Sequence, residues 1–132
     1  MFKNDLKFGI QTNGIKHSHK DPIPDIDTRF KMVKNEKIFD YVDKTPERDE
    51  INEFKRCSSK YNLPVIAGGW FYQIGKHKEL LQANLKIAKE LGSIVHNVQI
   101  QSHKVNGKIA SEMDVRDTYL EAYDIGLKHG VT

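Results

Sequence analysis

The residues of this sequence that could do chemistry lie at or just beyond the ends of four short apolar runs, where each run gives way to a loop. In chain order they are Gln11 and Asn13, Asp43 and Lys44, Gly69 and Trp70, and Gln99, Gln101 and His103. Amides donate to and accept from neighbouring hydroxyls, and an indole offers a flat apolar face to the C–H surface of a sugar. These types predict a pocket for a polyhydroxylated ligand, whose substrate-binding residues are Gln11, Asn13, Asp43, Trp70 and Gln101.

Two of these residues also have a purely structural explanation, and both alternatives stay open. Asp43 could do no more than lie beside a capped helix, and Trp70 could fill the barrel rim or a gap between a helix and a strand.

Histidine supplies the candidate metal ligand. His103 follows the fourth run, where its ring could reach a metal or a substrate oxygen, whereas His96 lies inside the run and is expected in the core. His17 and His19 fall in a polar loop and are expected in solvent. A histidine without a carboxylate partner makes a weak metal site, and the residues themselves assign no catalytic group.

The familiar short catalytic motifs are missing from the sequence. It contains no Gly-x-Gly-x-x-Gly, no Gly-Lys-Ser/Thr phosphate loop, no His-Glu-x-x-His and no Cys-x-x-Cys. The single cysteine, Cys57, falls inside a predicted helix and is interpreted as a packing residue.

The elements that must position these residues alternate between β-prone and helical patterns. The apolar runs cover Lys7–Gln11, Ile38–Asp43, Leu63–Gly68 and Ile94–Ile100, and a helical pattern follows each. The second helix is expected to begin with Thr45 as its N-cap and Pro46 at its first position. The alternation predicts βα units and a parallel sheet.

The spacing of the units predicts the architecture. The runs begin at positions 7, 38, 63 and 94, and a closed eight-fold barrel needs roughly 31 residues for each βα unit. We therefore expect an α/β chain forming about half of a TIM barrel, a single domain over residues 1–132 that is truncated after its fourth helix. The competing architecture is a small, doubly wound, flavodoxin-like domain.

Composition narrows the range of partners. The 132 residues carry 21 Lys and Arg against 18 Asp and Glu, mixed along the chain, so we expect no nucleic-acid partner. No apolar run approaches the roughly 18 residues that span a bilayer, so we expect no membrane partner. One cysteine excludes an intramolecular disulfide and favours the cytoplasm.

Four segments resemble the N-terminal half of xylose isomerase-like TIM barrels, the sugar phosphate isomerase/epimerase group. They are Phe39–Thr45, Leu63–Trp70, Asn84–Gly92 and His96–His103. The resemblance implies a divalent metal (Mn²⁺, Mg²⁺, Co²⁺ or Zn²⁺) held at the barrel mouth, with proton transfer next to a carbonyl. It implies that His103 contacts the metal or the substrate. The carboxylates that usually serve as metal ligands and bases in this family lie on later strands.

The resemblance therefore implies the N-terminal half of a metal-dependent sugar or sugar phosphate isomerase or epimerase. The alternatives are an incomplete half-barrel acting as a carbohydrate-binding or assembly module, or a small flavodoxin-like ligand-binding domain. The expected small-molecule partner is a sugar or polyol. A half-barrel leaves open sheet edges, so we also expect self-association or a complementary half-barrel.

Overall fold

The computed structural model describes residues 6–12 and 24–132 of the chain, so Asn13, His17 and His19 lie outside the described residues. Its centre is a parallel sheet of four strands in the order β1-β2-β3-β4. The strands are β1 (Gly9–Ile10), β2 (Tyr41–Asp43), β3 (Val65–Tyr72) and β4 (His96–Ile100). Because neighbours in sequence are also neighbours in the sheet, every connection is a simple βα crossover.

A helix follows each strand, and three of the four begin at a side-chain cap or capping box. They are α1 (Ile26–Asn35), α2 (Ile51–Tyr61, preceded by one 3-10 turn at Arg48–Glu50), α3 (His77–Glu90) and α4 (Glu112–His129). At α4, Ser111 Oγ accepts from the amide of Asp114, and the Asp114 carboxylate accepts from the amide of Ser111. This reciprocal pair of hydrogen bonds is a capping box.

The predicted start of α2 is wrong by a few residues. Thr45 and Pro46 lie before the helical turn, and the cap is a box in which the Glu47 amide donates to the Glu50 carboxylate at 3.1 Å. The Thr45 amide instead donates to Gly68 O at 2.8 Å, continuing the pairing of β2 with β3. Thr45 therefore takes part in the pairing of the strands, although sequence propensity alone would place it in a helix cap.

The core lies between one face of the sheet and the helices. One buried cluster joins β2 and β3 to α1 and α2 through Val42, Val65, Phe30, Phe54 and Leu63. The other joins β3 to α3 and α4, and its members include Ala67, Tyr72, Leu81, Leu85 and Ala122. The opposite face of the sheet carries exposed side chains, and we call it the inner face because it corresponds to the interior of a barrel.

A β-bulge in β3 decides which of its side chains reach the inner face. Ala67 pairs with His96 and Trp70 with Val98, so β3 contains one residue more than β4 over this stretch. The extra residue falls at the Gly68–Gly69 pair, where Gly69 has a φ of +83°. After the bulge Trp70 and Tyr72 pack on the helix side and Phe71 lies on the inner face, 62% exposed.

Candidate functional site

A row of three amides lies along the inner face of β4 and its continuation. Asn97, Gln99 and Gln101 are exposed and alternate with Val98 and Ile100, which pack against the helix-side core. The amide of Gln101 donates to Tyr72 O at 2.8 Å, which extends the strand geometry one residue beyond β4. Interior positions of TIM barrels are dominated by bulky branched apolar residues, so three successive amides are unusual there.

Asp43 lies beside this row at the end of β2. Its Oδ2 accepts from Asn97 Nδ2 at 3.1 Å, although the two residues are 54 positions apart in sequence. Its Oδ1 is buried and has no hydrogen-bond partner among the described residues. A Cβ at Gly68 would clash with this Oδ1, so the missing side chain of Gly68 leaves the space that the carboxylate occupies.

A shallow cavity of about 660 Å³ lies at the carboxyl end of β4. Its walls are Phe71, Ile100, Gln101, Ser102 and His103, so two of the sequence-predicted residues come together beside an aromatic ring. His103 is exposed, and its Nδ1 lies 3.0 Å from Ser102 Oγ. The loop that follows folds back on itself, with an antiparallel bridge between His103 and Ile109.

The structure separates the other predicted residues. Gln11 is exposed one residue after β1. Trp70 points to the helix side, where its Nε1 donates to Thr45 O at 3.1 Å and its ring packs against the second core cluster. Lys44 Nζ lies 5.9 Å from the centroid of that ring. Beside Gln101, the aromatic ring on the inner face is therefore Phe71, and Trp70 fits the structural alternative stated above.

His96 is a core histidine, as the sequence predicts. Its Nε2 lies 2.5 Å from the hydroxyl of Tyr72, which in turn accepts from Asn84 Nδ2 at 2.8 Å. Burial lowers the pKa of His96 to about 4 and raises the pKa of Tyr72 to about 12. The pair is therefore neutral near pH 7, and it links β3, β4 and α3 on the side away from the candidate site.

The described residues do not assemble a metal centre around His103. Within them, the group of potential ligands that lies close together is Asp27, Glu53 and Cys57, between α1 and α2 on the outer surface. Arg56 and Lys60 already neutralise this group, with Nη2 and Nζ 2.9 and 2.8 Å from Asp27 Oδ1. Burial raises the pKa of the Cys57 thiol to about 11, which disfavours the thiolate that binds metals. The divalent metal and the role of His103 stay predictions.

Sequence reasoning missed Asn97 and Phe71. The signal for Asn97 was present, because strict alternation along Ile94–Ile100 places position 97 on the same face as Gln99. Phe71 requires knowledge of the bulge, for which the Gly68–Gly69 pair is the only local sign.

The fold is similar to that of a solved enzyme. A type I 3-dehydroquinate dehydratase from Clostridium difficile, solved with covalently modified comenic acid, superposes with a TM-score of 0.60 at 20% sequence identity. The match covers 95% of this chain and 48% of that one, so the chain spans about half the length of the structure it matches. No protein-family model and no curated protein matches the sequence.

These findings correct the family and the function expected from the resemblance. The matching TIM barrel is a dehydratase, not a xylose isomerase-like protein, and no isomerase or epimerase family is supported. The four segments that resemble xylose isomerase-like proteins share with them the strand–loop–helix pattern of barrels in general.

No helix among the described residues is long and apolar enough to cross a membrane. The predicted fold class is confirmed: the chain is an α/β protein of four parallel βα units that corresponds to about half of a TIM barrel.

Proposed function

We propose that this chain supplies one wall of a binding site for a small hydroxyl-bearing molecule, of which a polyol is the simplest example. The observation that carries the proposal is the row of Asn97, Gln99 and Gln101 on the inner face, with the carboxylate of Asp43 beside it. In α/β barrels the ligand lies at the carboxyl ends of the strands, where Gln99 and Gln101 stand.

The chemistry of the wall favours hydroxyl groups. Each amide offers both a donor and an acceptor, and a carboxylate accepts from a hydroxyl. Phe71 and Gln99 are register partners on the neighbouring strands β3 and β4. The ring of Phe71 therefore gives the ligand an apolar surface next to the polar one. A ligand with alternating hydroxyl and C–H surfaces would use both.

The charge of Asp43 also discriminates between ligands. Comenic acid, the compound in the similar dehydratase structure, is an acid, and its carboxylate would be repelled by the Asp43 carboxylate on this wall. A neutral polyol meets no such penalty. We therefore expect a neutral polyhydroxylated compound to bind more tightly than comenic acid.

Replacement of Gln99 by leucine tests the proposal. In a titration with myo-inositol, followed by NMR of side-chain amides, the signals of Asn97, Gln99 and Gln101 should shift in the unmodified chain. The Gln99→Leu variant should bind about 2- to 10-fold more weakly, because it loses one hydrogen bond of about 0.5–1.5 kcal/mol. Comenic acid is the second probe, and it should shift the same signals less.

The matched control is Gln82→Leu, an exposed glutamine on α3 at the outer surface. It should leave the titration unchanged. If neither probe shifts the amide signals of β4, or if both variants weaken binding equally, the proposed function is wrong.

We also propose, on separate grounds, that the protein is located in the cytoplasm. The one cysteine, which is buried and unpaired, favours a cytoplasmic setting.

A further inference from the structure

Helix α4 carries a second apolar surface besides the one that packs in the core. Its buried face presents Thr118, Ala122 and Gly126. Its outer face presents Met113, Leu120, Tyr123 and Leu127, which are between 49% and 63% exposed. We call these four residues the α4 stripe. Exposed apolar side chains that recur on one side of a helix already packed on its other side indicate an interaction surface.

Three of the four stripe residues are spaced symmetrically about Leu120. Met113 and Leu127 each lie seven residues from Leu120, on the same side of the helix. If two α4 helices pack antiparallel with a two-fold axis at Leu120, Met113 of each meets Leu127 of the other and the two Leu120 side chains meet each other. A two-fold interface uses the same patch on both subunits and must be self-complementary, and this pattern meets that condition.

The charged and polar residues of α4 add contacts to the same arrangement. Antiparallel packing at Leu120 brings Arg116, which is bonded to Asp117 of its own helix, next to Tyr123 of the other copy, a pair suited to a cation–π contact. The same register places Asp117 of one copy near Asp124 of the other, a pair of like charges. It also sets the acidic first turn, with Glu112, opposite the basic last turn of the other helix, with Lys128. Opposed helix dipoles add to this complementarity of charge.

The outer edge of the sheet is less open than the half-barrel architecture suggests. Thr132 N donates to Ile94 O, and His96 N donates to Thr132 O, so the chain itself covers the start of β4. Near the end of the strand, the Ile100 amide donates to the hydroxyl of Tyr119 at 3.4 Å. Pairing of strands across this edge is therefore restricted, while the α4 stripe stays uncovered.

We propose that a second copy of this chain docks on the α4 stripe, helix against helix and antiparallel, with the two-fold axis at Leu120. The dimer is held by the stripe and by the complementary helix ends, not by the edge of β4. The proposal is independent of the ligand site on the inner face, which lies on the other side of the sheet.

The oligomeric state of the full chain tests the proposal directly. Sedimentation equilibrium from low micromolar to near-millimolar protein should show a monomer–dimer equilibrium. Leu120→Glu places two like charges against each other at the axis and should raise the dimer dissociation constant on the order of 100-fold. Leu120 is 57% exposed, so circular dichroism of the variant should match that of the unmodified chain.

The matched control is Ile109→Glu, which introduces the same charge at a residue that is 75% exposed in the loop before α4. It should leave the dissociation constant unchanged. A chain that stays monomeric over the whole range overturns the proposal, as does a dimer that Leu120→Glu does not weaken.

Disulfide capture tests the orientation of the helices. A mixture of Met113→Cys and Leu127→Cys chains, oxidised after subunit exchange, should form the mixed disulfide between the two variants. Cys57 is buried and should not compete. Disulfides joining two copies of the same variant, or no disulfide, would contradict antiparallel packing.

Discussion

The free energy of unfolding should fall by up to roughly 3 kcal/mol as the pH is lowered from 7 to 4, with His96 as the cause. Burial holds the pKa of His96 near 4, and the ring regains an ordinary pKa of about 6.5 when the chain unfolds. Between these two values the unfolded chain binds a proton that the folded chain does not. Stability is therefore fully present above about pH 6.5 and is lost as the pH falls towards 4.

Chemical denaturation at a series of pH values measures this dependence, and His96→Gln identifies its source. The glutamine variant should be less stable at pH 7, because the Tyr72 hydroxyl loses its hydrogen bond to the His96 ring, but its stability should change much less between pH 6.5 and pH 4. His103→Gln is the control, because it makes the same replacement at an exposed histidine outside the buried core. An identical slope in the unmodified and His96→Gln chains would refute the assignment.

The fold was predictable from the sequence because its signals are local. Each strand of this parallel sheet is a short apolar run, and each crossover returns the chain to the next position in the sheet, so the order of runs gives the order of strands. The boundaries were less predictable. β1 contains only Gly9 and Ile10, shorter than the predicted Lys7–Gln11, and β3 continues to Tyr72 through two glycines that suggested a loop.

The candidate site was only partly predictable because it depends on register. The contact between Asp43 and Asn97 joins residues 54 positions apart, and nothing near either residue in sequence indicates the other. Trp70 was predicted to line the pocket because it follows an apolar run. The bulge at Gly68–Gly69 changes the side on which the next residues emerge, so Phe71 takes the inner face and Trp70 the helix side.

The correction of the family has a similar physical origin. The quoted segments combine a β-prone run, a polar exit and an amphipathic helix, and these are requirements of any parallel barrel. Such segments identify an architecture. They do not identify a chemistry, which depends on the few side chains that the strands carry to the inner face.

Gly68→Ala should lower the free energy of unfolding by about 1–3 kcal/mol, the usual cost of adding a methyl group to a filled space. Among the described residues, the new Cβ would clash with Oδ1 of Asp43 and lie 3.2 Å from Asn97 Cβ. The carboxylate must therefore move, and its hydrogen bond to Asn97 should weaken. Urea denaturation of the purified variant measures the effect.

A double-mutant cycle shows whether the cost comes from Asp43. Asp43→Ala removes the carboxylate that clashes with the new methyl group and leaves the close contact with Asn97 Cβ, so Gly68→Ala should cost about 1 kcal/mol less in that background. A coupling of at least about 1 kcal/mol is thus expected. An unchanged cost would show that the backbone of β3, not the Asp43 carboxylate, requires glycine at position 68. The space beside Gly68 would then be unrelated to the placement of the one carboxylate on the proposed ligand-binding wall.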